Sequence, residues 1–367
     1  MHDCLIIGAG QFGIACAHKL KRAGIDALLV DADERVGETW RRRPRGLRLF
    51  TPRRYSSICG IAMSGDADGN PSGAEYGDYL ASVVERLGID VALSTRVERL
   101  ERDAASASNG AFVARLADGR SVRARTVIDA AGANQAQKIP AFASRLDPSV
   151  KQIAAGAYRD PDDFGADRTV CIVGDGASGR QIALELIEAG RRVVLARGRI
   201  RKMMPNRLLG RSLFWWLDLT GVAYADRDSA IGRILRKRDP IPVANCRDAI
   251  LAARGVRLTA RATDADGRAV VFADGERVEV DAVLWCGGYQ ERMDWLALPG
   301  IRSPQDLYAD YGRTPEPGFF VVGRRWLSCR ASELVLGVER DTERVVGAVR
   351  TYLNTSATAV ASETAAP

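Results

Sequence analysis

Two glycine-rich turns hold the residues of this chain whose types and spacing could do chemistry. The first reads Leu5-Ile-Ile-Gly8-Ala9-Gly10-Gln11-Phe12-Gly13, and the second Ile172-Val-Gly174-Asp175-Gly176-Ala177-Ser178-Gly179. In such a turn the first glycine permits the sharp reversal. The second lets a pyrophosphate approach the N–H groups of a helix N-terminus, and the third lets the helix pack closely on its strand. In both copies a helix-stopping glycine, Gly24 or Gly190, lies eleven positions after the third glycine. The residue after the returning strand lies twenty-three positions after the first glycine. That residue is Asp31 in one copy and Arg197 in the other. A carboxylate there accepts hydrogen bonds from ribose hydroxyls, whereas a guanidinium suits a 2′-phosphate. One such turn is weak evidence. Two in register, with opposite charges at the ribose position, point to an FAD cradle built from Gly8, Gly10, Gln11, Phe12, Gly13 and Asp31. The matching NADPH cradle is Gly174, Gly176, Ala177, Ser178, Gly179 and Arg197, with Arg199 as a further cation.

The elements that must position these turns repeat as well. Apolar runs at 4–7 and 170–173 read as buried strands, each followed by a helical pattern and a second apolar run at 27–30 or 193–196. Further on, Ala117-Asp-Gly119, Val122, Val127 and Gly132 align without a gap on Ala273-Asp-Gly275, Val278, Val283 and Gly288. Asp-Gly between strand-like runs predicts a hairpin, and the terminal glycine a close approach to a cofactor. The alternative, two unrelated turns in a generic α/β protein, does not account for two matched landmarks. The expected fold is therefore α/β, with two Rossmann-like domains and the NADPH domain inserted in the FAD domain. The FAD domain would comprise residues 1–157 and 283–353, the NADPH domain 158–282, and a disordered tail 354–367.

Composition narrows the chemistry. The only histidines are His2 and His18, so imidazole acid–base catalysis, Ser-His triads and histidine metal sites are set aside and no metal is expected. The hard chemistry then falls to a cofactor. Seven cysteines contain no CxxC pair, which argues for a reducing cytoplasm and against a dithiol–disulfide reductase. The net charge of +7 is clustered after the two ribose strands, where it fits anionic dinucleotides or solvated surface better than nucleic acid.

The segments Val36-Gly-Glu-Thr-Trp40-Arg41 and Leu47-Arg-Leu-Phe50-Thr-Pro-Arg53 resemble the class B flavin monooxygenases, and the resemblance extends from residue 4 to about 353. It implies that Val97 meets the adenine through its backbone. It also implies that Gly132 and Gly288 sit at the two domain crossings, and that Gly323, ending Gly318-Phe-Phe-Val-Val, makes the last FAD contact. A helix over 331–353 would aim its N-terminus at the flavin. Trp40 offers a flat ring that could back the flavin or adenine, or it packs in the core. Candidates to line the active site are Phe50, Arg53, Tyr55 and Trp326. The resemblance implies an NADPH-consuming oxidoreductase that oxygenates a small organic substrate at N, S or a carbonyl carbon, with O2 as co-substrate, through a flavin C4a-(hydro)peroxide. The chain departs from the family pattern at the histidine expected before Tyr158, which falls on Ala154, and at an asparagine, which falls on Phe50. An FAD-dependent NADPH dehydrogenase and a flavin-binding regulatory or transport-associated protein therefore remain as alternatives.

One segment fits neither cradle: Arg211-Ser-Leu-Phe-Trp215-Trp216-Leu-Asp-Leu-Thr-Gly221, followed by a basic stretch to Pro242. The simplest reading is a helix packed on the neighbouring domain. A substrate lid, a homodimer contact and a peripheral membrane anchor are the others.

Overall fold

The apolar run within His2–Ile7 lies inside an eight-stranded sheet of the computed structural model, which describes residues 1–103, 110–166, 168–198 and 202–364, with side chains to 355. On one side it pairs in parallel with Ala27–Val30, which pairs with Val91–Ala92. On the other it pairs in parallel with Ser121–Asp129. Ser121–Asp129 also takes Phe319–Val321 in parallel and continues antiparallel to Phe112–Leu116 and Val97–Arg102. Strands covered on both faces read as unbroken apolar runs, which is why 4–7 lacks alternation. One face packs on helices Gln11–Arg22 and Gly73–Leu87 and the final helix; the other buries Leu5, Phe112, Val127, Leu307 and Phe319.

The second sheet is wholly parallel, in the order Arg257–Thr259, Arg192–Ala196, Thr169–Val173, Ala282–Trp285, Lys151–Ala154. Lys151–Ala154 pairs with Ala282–Trp285, so the expected change of domain at 157/158 falls inside this unit. A four-residue edge strand without turn signals left no periodicity to read. The two chain crossings meet as an antiparallel ribbon, Ala136–Gln137 against Tyr289–Gln290. Both Asp-Gly hairpins form. Leu116 N–H donates to Arg120 O at 2.9 Å around the first, and Phe272 N–H to Glu276 O at 2.9 Å around the second. The copies differ beyond the turn. Ser121–Asp129 runs unbroken into the main sheet, whereas its counterpart divides into Arg277–Glu279, in a small antiparallel sheet, and Ala282–Trp285.

Two helix ends differ from expectation. The helix read from Ala331 starts instead at Val338, after short 3-10 turns at Arg330–Glu333 and Val335–Gly337 separated by extended Leu334. It continues to Thr364, where a disordered tail was expected from 354. Gly73–Leu87 buries one face through Tyr76, Tyr79, Leu80 and Val83, and a capping box fixes its start. Glu75 N–H donates to Ser72 Oγ at 3.1 Å and Ser72 N–H to Glu75 Oε2 at 2.7 Å. The Ser72 donors are the main reason the Glu75 carboxyl is held down at about 2. Its contribution to stability is therefore present above the ordinary carboxylate range and lost as pH falls toward 2. Ser72→Ala is expected to cost about 1 kcal/mol in urea unfolding at neutral pH, and less in strong acid.

Candidate functional site between the two cradles

The duplication visible in the sequence is reproduced atom for atom in the turns. A Cβ on Gly13 would fall deep inside the carbonyl oxygen of Gly8, and one on Gly179 inside that of Gly174. The first glycines, both with left-handed φ (+103° and +111°), press on Ala130 and Cys286, which are equivalent positions of the two repeats. Gly10 and Gly176 begin the helices Gln11–Arg22 and Ala177–Glu188, and a Cβ on either would meet no protein atom within 4 Å. Both helix N-termini therefore present backbone N–H groups without side-chain caps to open space, the arrangement a pyrophosphate needs.

The carboxylates are exchanged between the copies. In the first, Asp31 reaches back from the strand end to accept the Ala9 N–H at 2.6 Å, and it also takes the Asp33 N–H at 2.8 Å. Burial pushes this carboxyl up, opposed by those two donors. In the second, Asp175 lies on the turn and accepts from Gly198 N–H at 2.8 Å, across to the strand end. Its charge is met by Arg180, 3% exposed, at 2.9 Å. Arg180 also holds Asp248 at 2.8 Å and donates to Cys246 O at 3.0 Å. Arg197 stays half-exposed, with Nε donating to Thr259 O at 3.0 Å and the Asp248 carboxylate 3.6 Å from its Nη1. Asp248, the carboxylate beside Arg197, is shared with Arg180, which holds it more closely at 2.8 Å. Arg180 escaped the sequence reading, although its spacing from the buried Ala183 and Leu186 was a signal. Arg199 lies outside the described residues.

A cavity of about 1480 Å³ runs between the two units. It brings together Trp40 and Phe50 from the first with Gly174, Gly176, Ala177, Ser178, Gly179, Arg197 and Gly288 from the second. Trp40 packs edge-on against Tyr76 at 4.9 Å between centroids, lines the cavity, and donates from Nε1–H to Gln11 Oε1 at 3.2 Å. Gly323 stacks on Phe12, where a Cβ would come within 2.8 Å of the ring. The chain leading into Val97 is tied to the end of the Ala27–Val30 strand by Thr95 N–H to Asp31 O at 2.7 Å and Ser94 N–H to Asp33 O at 2.9 Å. Gly132, with φ +74°, follows Ala131, whose N–H donates to Asp129 Oδ1 at 3.0 Å.

Three of the proposed pocket residues do not line this cavity. Arg53 is bound to Glu75 and packs over Gly65 and Gly69. Trp326 is 7% exposed, with Arg330 above its ring at 5.9 Å. Burial is the main cause of a raised Tyr55 phenol, and Asp218 the second. Short-range sequence proximity to Phe50 suggested Arg53 and Tyr55, but the capping carboxylate of Glu75 competes for the guanidinium. The sequence reading also missed Glu291, Tyr308, Arg325 and Glu333, which do line the cavity. Glu291 receives the Tyr308 hydroxyl and the Nε–H of buried Arg324 at 2.8 Å, and Arg324 also meets Asp129 at 2.6 Å. Cys286 is the one cysteine on the cavity wall among the described residues, and burial pushes its thiol up to about 12, so a dithiol exchange has no second sulfur there.

Residues 5–206 match the family model described as pyridine nucleotide-disulphide oxidoreductase. An uncharacterized CzcO-like oxidoreductase of Geobacillus kaustophilus is 31% identical over 94% of this chain and 97% of its own length. An indole-3-pyruvate monooxygenase, YUCCA1, of Oryza sativa subsp. japonica is 24% identical over 85% of this chain and 82% of its length. Among solved structures, a flavin-containing monooxygenase from Stenotrophomonas maltophilia superposes with a TM-score of 0.77 at 25% identity, covering 96% of this chain and 98% of its own.

Proposed function

The chain belongs to the pyridine nucleotide-disulphide oxidoreductase family, and from that premise we propose that it is an FAD-dependent, NADPH-consuming monooxygenase of a small organic substrate. The observation that carries the reading is the cavity of about 1480 Å³ walled by Trp40 and Phe50 on one side and by the second glycine turn and Arg197 on the other. The second cradle opens on this space directly, and the first is joined to it through Trp40, whose indole donates to Gln11 at the start of the first glycine-turn helix. Hydride delivery from nicotinamide to flavin requires the two to be brought together in this way. The similarity to an indole-3-pyruvate monooxygenase and to the solved flavin-containing monooxygenase favours oxygen transfer over simple dehydrogenation.

The residues divide the work as follows. Gly8, Gly10, Gly13 and Asp31 hold the ADP part of FAD, with Val97, Gly132 and Gly323 completing that site; Gly174, Gly176, Ser178, Gly179 and Arg197 hold NADPH. The flavin, when bound, supplies the electron transfer and the oxygen activation. Leu213, Phe214 and Leu217 give the cavity an apolar wall, and Phe50 adds an aromatic one. Together they exclude water from the space where the substrate would react at N, S or a carbonyl carbon. Arg43, Lys138 and Arg261 make the same cavity attractive to an anionic dinucleotide, whereas Arg325 and Arg330 on its wall are paired with Asp239 and Glu333. The inserted NADPH unit would span 138–288, between the paired crossings.

Stopped-flow mixing of the reduced, NADP⁺-bound protein with oxygen tests the reading. A spectrally distinct intermediate before the oxidised flavin spectrum is expected, and with substrate present an oxygenated product formed in step with NADPH consumption. Direct reoxidation with stoichiometric hydrogen peroxide, substrate or not, would make it a dehydrogenase. Arg197→Glu separately tests the basic cradle. It should weaken NADPH at least about tenfold more than NADH, because only the former offers a 2′-phosphate to the guanidinium. Equal losses for both would remove Arg197 from that role.

A further inference from the structure

Helices Leu213–Leu219 and Ala230–Arg238 wall one side of the cavity with Leu213, Leu217 and Leu235, yet their outer surface is not polar. Of the seven large hydrophobic residues exposed among the described ones, five fall in this single segment: Leu208, Leu209, Leu219, Ile231 and Ile234. Leu219 lies on the far side of its helix from Leu217, since two residues turn about 200°. Leu209, at the tip of the hairpin between Arg207–Leu208 and Arg211–Ser212, is 82% exposed and holds a left-handed φ of +49°. A leucine in a backbone region that favours glycine, with its side chain in water, has two unfavourable terms at one position.

The hairpin and first helix are one body. Trp216 Nε1–H donates to Leu208 O at 3.0 Å, Leu213 N–H to Asn206 O at 2.8 Å, and Trp215 packs edge-on against Trp216 at 4.7 Å. Charge surrounds the exposed aliphatics. From 202 to 238 the sequence carries eight lysines and arginines against three aspartates, so about a tenth of the chain holds +5 of its +7 net charge. Arg207, Arg211, Arg233, Arg236 and Arg238 are all exposed.

We infer that this segment docks the protein on an anionic phospholipid surface, with Leu208, Leu209 and the tryptophan pair entering the interface and the arginines meeting headgroup phosphates. Basic residues interleaved with aliphatic and tryptophan side chains on short amphipathic elements are the composition that binds in this plane without crossing it. No helix among the described residues is long and apolar enough to cross a membrane. Because the same helices wall the cavity, docking sets its mouth beside the bilayer. Resting on the monooxygenase reading, this makes lipid-soluble amphiphiles the substrate class.

Co-sedimentation of the FAD-loaded protein with vesicles tests the docking without reference to activity. Retention is expected on phosphatidylcholine mixed with phosphatidylglycerol, little on phosphatidylcholine alone, and release at high salt. Arg236→Gln with Arg238→Gln should weaken retention at least about tenfold, and so should Leu209→Asp, a change at a hairpin tip outside both cradles. The inference is overturned if wild type stays in the supernatant with both vesicles, or if Leu209→Asp sediments like wild type. It is also overturned if wild type sediments without lipid while Leu209→Asp does not, which would make the patch a self-association surface. NADPH-driven flavin reduction measured on the same samples keeps a failure of docking distinct from a failure of the enzymatic reading.

Discussion

Gly179→Ala is expected to abolish NADPH-driven reduction of the flavin while leaving FAD bound. The added Cβ would fall deep inside the Gly174 carbonyl oxygen and within 3.4 Å of the Cys286 side chain, so helix Ala177–Glu188 must withdraw from its strand. That withdrawal moves the N–H groups that would meet the pyrophosphate, and a misplacement near 1 Å is enough to cost about a hundredfold in binding or rate. Overpacking adds about 1–3 kcal/mol of instability confined to the second unit. Gly13→Ala is the reciprocal case, since its Cβ meets the Gly8 carbonyl in the same way. It should yield a chain that takes up little FAD. Anaerobic reduction and flavin absorbance of the two variants, side by side, check both statements. Wild-type reduction by Gly179→Ala would show that this turn does not hold the nicotinamide dinucleotide.

Arg324→Met is expected to destabilise the holoprotein by about 3–5 kcal/mol, the cost of leaving buried charge without its partner. Arg324 has no solvent exposure, and its carboxylate partners Asp129 and Glu291 are 1% and 6% exposed. Asp129 ends a strand of the first sheet, Arg324 follows Gly323, and Glu291 follows the returning crossing Tyr289–Gln290. The triad therefore fastens the domain crossing to the floor of the proposed FAD site, and its loss should also slow hydride delivery across the cavity. Adding Asp129→Asn to Arg324→Met should recover part of the lost stability, because one stranded charge is removed. Urea unfolding of the three proteins at neutral pH reads this out. A single variant within about 1 kcal/mol of wild type would mean that the triad contributes packing rather than charge balance.

The parts of this fold legible in the sequence were those with a local or repeated signal. The glycine spacings, Asp31 against Arg197, and the Asp-Gly hairpins recur at fixed intervals, so one copy checked the other. The helix Gly73–Leu87 is legible from its apolar stripe of Tyr79, Leu80, Val83, Val84 and Leu87 and from Gly88 as its stop. What stayed hidden depends on pairs far apart in the chain. Asp129, Glu291 and Arg324 are brought together only by the two domain crossings, and nothing in the neighbourhood of any one of them marks it as buried and paired. Arg180 was partly legible from its spacing, whereas Asp248, its partner across the second unit, was not. Arg53 failed as a pocket residue because a nearer carboxylate claims it, a competition that sequence adjacency does not register. The break at Leu334 that delays the final helix to Val338 likewise leaves no trace in its apolar periodicity.

The most direct test of the whole account is an anaerobic titration of the purified protein, first with FAD and then with NADPH, followed by visible absorbance. The account predicts stoichiometric FAD uptake and full bleaching of the flavin band by stoichiometric NADPH, with NADH much less effective. A protein that stays colourless in excess FAD, or binds FAD that NADPH leaves oxidised, would contradict it.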